Sequence, residues 1–549
     1  MGIYIHLDIS KSVTQERWEI VYEETLQLIN HFPLADRREV EIHGIPTICL
    51  THSGEYEETD AWDNQSTRLG WCAIGDMEWL KTAEEHYTPR DLIKNGQVDT
   101  EVTDAAMGAL PIYCNSYEPD AEVCSHTRGM WGRKTQGEPY HISLLAVAAL
   151  IEARLGIEAF TTGDITRGQF KKAVEEANKY LENKIDMPDR CYMDRWFNRV
   201  IQLPVPGRDK VKIFIYFYLG EQNADFGAFL RSHFSAEDLD AYWHEKLKNI
   251  EMGTHYFGRN LREYLLWGFE LGKMCEHTKF HDEEGNQLYD QFVRTVMECK
   301  LHIAEKNCHD PLQIDQEAEY AYGIGIQMAQ VMFAGGENKK VDRYIPIEII
   351  RQELVQAIGD HCDVNAIIDK CLEEEEEIAQ MMHSRNQDLT DEEIMKVVNE
   401  VFSESLDGIL ESRKKEWNDE REKYDICFPD ELVFFKKGIT TVHPDIQKAI
   451  SHARQFVEQV YQMDRYKRFS GWNAKQCCEW LVDHNDSYLL REQDWDNIFS
   501  NIENNPNSFG RYYGLMIVKI NSSAIFSTCL ALLINDDLYE YAGLPVNNE

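Results

Sequence analysis

A predominantly α-helical, multidomain chain with a small mixed α/β (α+β) module at its N-terminus is the fold class this sequence predicts. Three observations predict it. The first residues alternate apolar and polar, apolar residues recur at helical spacing from Tyr140 onward, and 549 residues suit about three to four domains at roughly 150 residues each. The expected units are a mixed α/β module over 1–135, a helix-rich α/β connecting region over 136–235, a helical domain over 236–428 and a C-terminal helical domain over 429–549.

In the opening segment Ile3, Ile5, Leu7 and Ile9 face one way while Tyr4, His6, Asp8 and Ser10 face the other. That period of two marks a half-buried strand. Ser12 stands three residues before Gln15, the spacing of a capping box. The stripe of Trp18, Val21, Tyr22, Thr25, Leu26, Ile29 and Phe32 then predicts an amphipathic helix ending before Pro33. Val40–Leu50 reads as a second strand and Gly70–Ile74 as a third.

From Tyr140 the pattern turns helical. His141 to Leu155 is almost continuously apolar, and Gly156 is suited to closing that helix. Ile157 to Thr161 is strand-like, and Val211–Tyr218 fits either a buried strand or a helix. Beyond Ala236 helices dominate, including a long one between Met381 and Trp417. Tyr320 to Phe333 is helical in pattern, so its Gly323 and Gly325 fit close packing better than a phosphate cradle. The acidic block Glu373 to Glu377 reads as a solvated face.

Charge narrows the function classes. Lys and Arg number 56 against 96 Asp and Glu, a net charge of −40. Binding nucleic-acid phosphates as the main activity would concentrate like charge, which counts against it. With 43% hydrophobic and 11% aromatic residues the chain can build sizeable cores, which excludes wholesale disorder. The start, Met1 to Asp8, has no basic and apolar secretory leader. The runs Val211 to Leu219 and Ala524 to Ile534 are too short to span a bilayer, so no membrane role is expected. Fourteen irregularly spaced cysteines without a CxxC suit a reducing, cytoplasmic setting.

Standard signatures for nucleotide, serine-nucleophile, zinc-protease, calcium and kinase chemistry are absent. The candidate catalytic residues are His141, Asp164 and Arg167. The loop Thr161 to Gln169 leads into a helix whose first N–H groups suit an anion, with Arg167 assisting. His141 stands at the entry to the apolar helix, at the junction of module and helical body. The same loop also reads structurally, because Thr166 and Gln169 have capping-box spacing. For metal, Cys275, His277, Cys299 and His302 supply thiolates and imidazoles of the kind zinc prefers. Against that, Cys275 and His277 are two apart, on different faces of a helix. Cys114, Cys124 and His126 form a looser group.

Three functional expectations follow. The leading one is an acidic cytoplasmic protein that acts by engaging or regulating another protein. The second is a hydrolase or transferase acting on an anionic small molecule around residues 133–169. The third is a zinc-stabilised protein using the 275–309 cluster.

Overall fold

The computed structural model describes residues 2–59, 67–92, 99, 101–113, 126–302, 317, 344–385 and 421–544, apart from positions 249, 283, 300, 461, 519 and 521. The chain is mostly helical, with an N-terminal module that mixes strands and helices. That module comprises β1 (Tyr4–Ser10), α1 (Gln15–Ile29), β2 (Leu34–Ile42), β3 (Ile45–His52), β4 (Tyr56–Thr59), β5 (Thr67–Asp76) and β6 (Thr82–Pro89). It continues with α2 (Ala106–Tyr113), β7 (Thr127–Lys134), α3 (Tyr140–Leu155), β8 (Ala159–Gly163) and α4 (Arg167–Ala177).

The alternating opening residues form β1, the middle strand of an antiparallel sheet ordered β7-β1-β8. Ile5, Leu7 and Ile9 are fully buried, as the alternation requires. At Asp8 the β7 partner jumps from Trp131 to Gly129, so Met130 is the extra residue of a bulge. The second sheet is ordered β3-β2-β5-β4, with β6 also on β5. The expected second strand, Val40–Leu50, is in fact a hairpin. Its two-residue turn, His43-Gly44, has positive φ at both positions (48° and 76°), the geometry whose twist matches flanking strands.

α1 packs Trp18, Val21, Tyr22, Thr25, Leu28 and Ile29 inward. Its cap is Thr14, whose hydroxyl accepts the Arg17 N–H at 3.4 Å, rather than Ser12. Ser12 instead donates to Glu158 at 2.6 Å, and the Gln15 amide reaches the Arg90 carbonyl and the Leu92 N–H. The capping spacing was therefore present but its groups are used across the fold.

α3 is the core helix of the module, with every residue from Leu144 to Glu152 buried. The stretch Tyr140–Glu158 is the one helix among the described residues long and apolar enough to cross a membrane, and 67% of that window is buried inside the protein. Gly156, at φ 64°, ends it. The ambiguous run at 211–218 is helical, within Gly207–Phe217. The expected helix between Met381 and Trp417, and the pattern at Tyr320 to Phe333, lie largely or wholly outside the described residues. The Glu373 to Glu377 block sits on the helix Val364–Arg385, where Glu374 pairs with Arg294 and Glu375 with His302.

Three apolar cores result. One joins β1, α1, α3 and α4 and runs to Leu219; a second gathers residues between Ala105 and Cys371. The third is formed by the helices from Ile426 to Leu544, and it also takes in Ala35, Ile42, Ile45, Cys49, Leu50 and Leu80 of the N-terminal module. The two chain ends are thus bound along a seam, where Leu50 N–H donates to the Leu490 carbonyl at 2.8 Å.

Candidate functional site

The start of β1 collects two of the three catalytic candidates without joining them. His141 lies in the first turn of α3, 1% exposed, with Nδ1 2.6 Å from the Thr135 hydroxyl. Thr135 N–H in turn donates to the Ile3 carbonyl at 2.8 Å. Burial, with His86 nearby, pushes the His141 imidazole down to about 3, and its buried Nε2 has no hydrogen-bond partner among the described residues. Asp164 is fastened to the next residue: its Oδ2 accepts the Tyr4 N–H at 2.8 Å, and its own N–H donates to the Tyr4 carbonyl at 3.0 Å. Burial raises the Asp164 carboxyl, opposed by that Tyr4 N–H. Arg167 points elsewhere, to Glu317 at 2.6 Å. Among the described residues no hydrogen bond or ion pair links His141, Asp164 and Arg167 to one another.

The loop before α4 shows its capping role in full. Thr166 Oγ1 accepts the Gln169 N–H at 3.1 Å, and Gln169 Oε1 accepts the Thr166 N–H at 2.9 Å.

Of the zinc candidates, His277 faces Asp240 (3.6 Å) and His302 faces Glu375 (3.0 Å), while Cys275 is part-buried and Cys299 buried. Among the described residues no group of three or more His, Cys, Asp or Glu side chains is placed to hold a metal ion. Cys114, Cys124, Cys308 and His309 lie outside those residues.

Two arrangements were not singled out from sequence. The first is the polar face of β1. His6 stacks on Tyr4 with ring centroids 5.6 Å apart, and Asp8 follows two residues on, 8% exposed. The Asp8 carboxyl makes no hydrogen bond among the described residues, and burial pushes it up to about 7. Glycines sit opposite both groups on β7: a Cβ at Gly132 would come within 3.3 Å of His6 Nδ1, and one at Gly129 within 3.7 Å of Asp8 Oδ1. The glycines and the outward alternation were readable in sequence. The bulge that brings Gly129 opposite Asp8 was not.

The second is an open groove of about 540 Å³ at the seam, between the β2–β3 hairpin and the helix Glu492–Asn504. Its apolar floor includes buried Ile42 and Leu50, while Glu41, Glu492 and Asp496 are exposed along it. Arg491 adds little net positive charge, because it forks onto Asp494 at 2.8 and 3.0 Å and donates to the Met77 carbonyl at 3.3 Å. At the hairpin tip, His43 Nδ1 lies 2.9 Å from Glu503 and Nε2 lies 3.0 Å from Asp496. The combination is a negatively charged, apolar-floored cleft built from residues more than 400 positions apart in sequence. In comparisons with known proteins, the chain matches no family, no curated protein and no solved structure.

Proposed function

We propose that this protein acts by binding another protein, and that the seam groove receives a basic, part-apolar segment of that partner. The observation that carries the reading is the groove's composition: exposed Glu41, Glu492 and Asp496 over a buried Ile42–Leu50 floor, on a chain of net charge −40. Lys and Arg side chains suit such a cleft, since their aliphatic stems cover apolar surface while their charged heads reach carboxylates. A cytoplasmic setting is part of the reading, and the described cysteines, mostly buried, fit it. The multidomain organisation expected from length belongs to the same proposal, with the groove at a boundary between units.

The test uses a fluorescent Lys/Arg-rich peptide and the intact chain. Anisotropy is expected to show binding that weakens as salt rises, as exposed charges do when screened. The double variant Glu41→Lys, Glu492→Lys is expected to lose that binding while keeping the wild-type melting temperature. Undiminished binding by the double variant, or equal binding of an acidic peptide, would defeat the reading.

A second reading, catalysis on an anionic small molecule, is favoured by one observation: the Asp8 carboxyl near His6 on β1, without a hydrogen bond among the described residues, on the strand that also holds Asp164. A carboxyl that keeps its proton near neutrality can donate to a leaving oxygen without repelling an anion. His141 and Asp164 would then position this strand, while Arg167 is held by Glu317 and takes no part. Hydrolysis of chromogenic phosphoesters is the readout. Turnover lost in Asp8→Asn but kept in Thr166→Ala supports it, and turnover equal in both variants removes it.

A further inference from the structure

We propose that His43 is a proton-operated latch, fastening the tip of the β2–β3 hairpin to the helix Glu492–Asn504 when its ring carries both protons and releasing it when one is lost. The geometry carries this. Each ring nitrogen faces a carboxylate oxygen, Nδ1 at 2.9 Å from Glu503 and Nε2 at 3.0 Å from Asp496. A neutral imidazole donates from one nitrogen only, and its other nitrogen would set a lone pair against a carboxylate. Only the imidazolium satisfies both contacts. The ring also meets Phe499 in an edge-to-face contact, centroids 5.9 Å apart, so it is held by packing as well as charge.

The remaining charged neighbours reinforce the same sign. Glu41 on β2 and Glu492 at the helix start line the adjoining groove, Arg491 there is neutralised by Asp494, and His52 on β3 lies at the same groove. From the helix Ala474–Asp483 the nearby group is the Cys478 thiol, close to Glu503 and pushed up to about 12, hence uncharged. Glu503, by hydrogen bonding, raises the His43 ring above its ordinary 6.5, with partial burial opposing and Asp496 adding to it. Folding therefore increases proton affinity here. The latch contributes fully below 6.5 and fades as pH rises through the higher folded value.

The latch has a local target. Ile42 and Ile45 flank the turn and are buried in the C-terminal core, so the release loosens the hairpin tip and the groove beside it rather than parting the seam. This inference does not depend on the groove receiving a partner.

Histidine C2-hydrogen exchange on the intact chain reads the titration of His43 directly, and amide exchange reads the hairpin. The expected result is a His43 midpoint above 6.5, with amides of residues 40–46 losing protection through that same midpoint after correction for intrinsic rate. His43→Asn removes the latch while leaving an Asn–Gly pair, the pair best suited to positive φ at both turn positions, so the hairpin persists. In that variant the pH-dependent loss is expected to vanish, and Glu503→Gln is expected to lower the His43 midpoint. A midpoint at or below 6.5, or the same pH-dependent loss in His43→Asn, overturns the proposal.

Discussion

Arg199 shows how much one side chain carries when it is a cation inside a buried polar cluster. Its Nε and Nη2 bind the Asp104 carboxylate at 2.9 and 2.8 Å, and Nη1 lies 3.7 Å from Glu152. Glu152 in turn accepts the Thr161 N–H of β8 at 3.0 Å. Replacing Arg199 takes the ion pair from Asp104 and leaves Arg190 as the remaining cation acting on the buried Glu152. Arg199→Met is expected to destabilise by about 3–5 kcal/mol in urea unfolding, the range for removing one partner of a buried pair. A loss no larger than that of an exposed-pair variant such as Lys448→Ala would show that the cluster is hydrated. Nothing in the local pattern around Arg199 announced this role, since Asp104 and Glu152 approach it from separate elements.

At the scale of elements, α4 and α1 form a useful contrast. The spacing Thr166–Gln169 predicted a capping box, and both reciprocal bonds are present. Ser12–Gln15 had the same spacing, yet Ser12 serves Glu158 and Gln15 serves Arg90 and Leu92. A capping box is readable when no distant group competes for the same hydroxyl and amide; Ser12 is drawn off the helix end by Glu158, in the turn just before β8. Thr166→Ala is expected to cost about 1 kcal/mol of stability. Measured by thermal melting beside Asp164→Ala, it also separates capping from ligand binding: a ligand-dependent rise in melting temperature that survives Thr166→Ala but not Asp164→Ala would assign the loop to binding. The two-residue turn inside Val40–Leu50 was missed for a related reason, because His43-Gly44 is not among the strongest turn pairs and apolar residues continue on both sides of it.

For the whole molecule, buried titratable groups set how stability varies with pH. His141 and His86 are held down to about 3 and about 4 by burial, whereas in the unfolded chain both take a proton near 6.5. Their contribution is therefore present above 6.5 and is lost progressively as pH falls toward those folded values. Asp8 acts in the opposite sense: burial raises it to about 7, so its contribution is present at low pH and is lost as pH rises through 7. Urea unfolding at pH 7.5, 6.0 and 5.0 is expected to show a falling stability that His141→Gln flattens. Identical slopes in wild type and variant would mean that the imidazole is hydrated in the native state.

The sequence by itself determined what depends on neighbours in the chain: the buried face of β1, the apolar helix α3 with its closing Gly156, the capping box before α4, and the net charge that shapes any partner. Helical and strand periodicities, caps and turns involve residues a few positions apart, so they leave a local trace. Only the tertiary structure decided that Ala35, Ile42 and Leu50 belong to the same core as Leu490 and Leu532, that Asp8 lies opposite a glycine, and that His43 meets Asp496 and Glu503. Those contacts join segments up to 460 residues apart, and apolar burial, being non-directional, fixes which surfaces must be covered without encoding which distant element covers them.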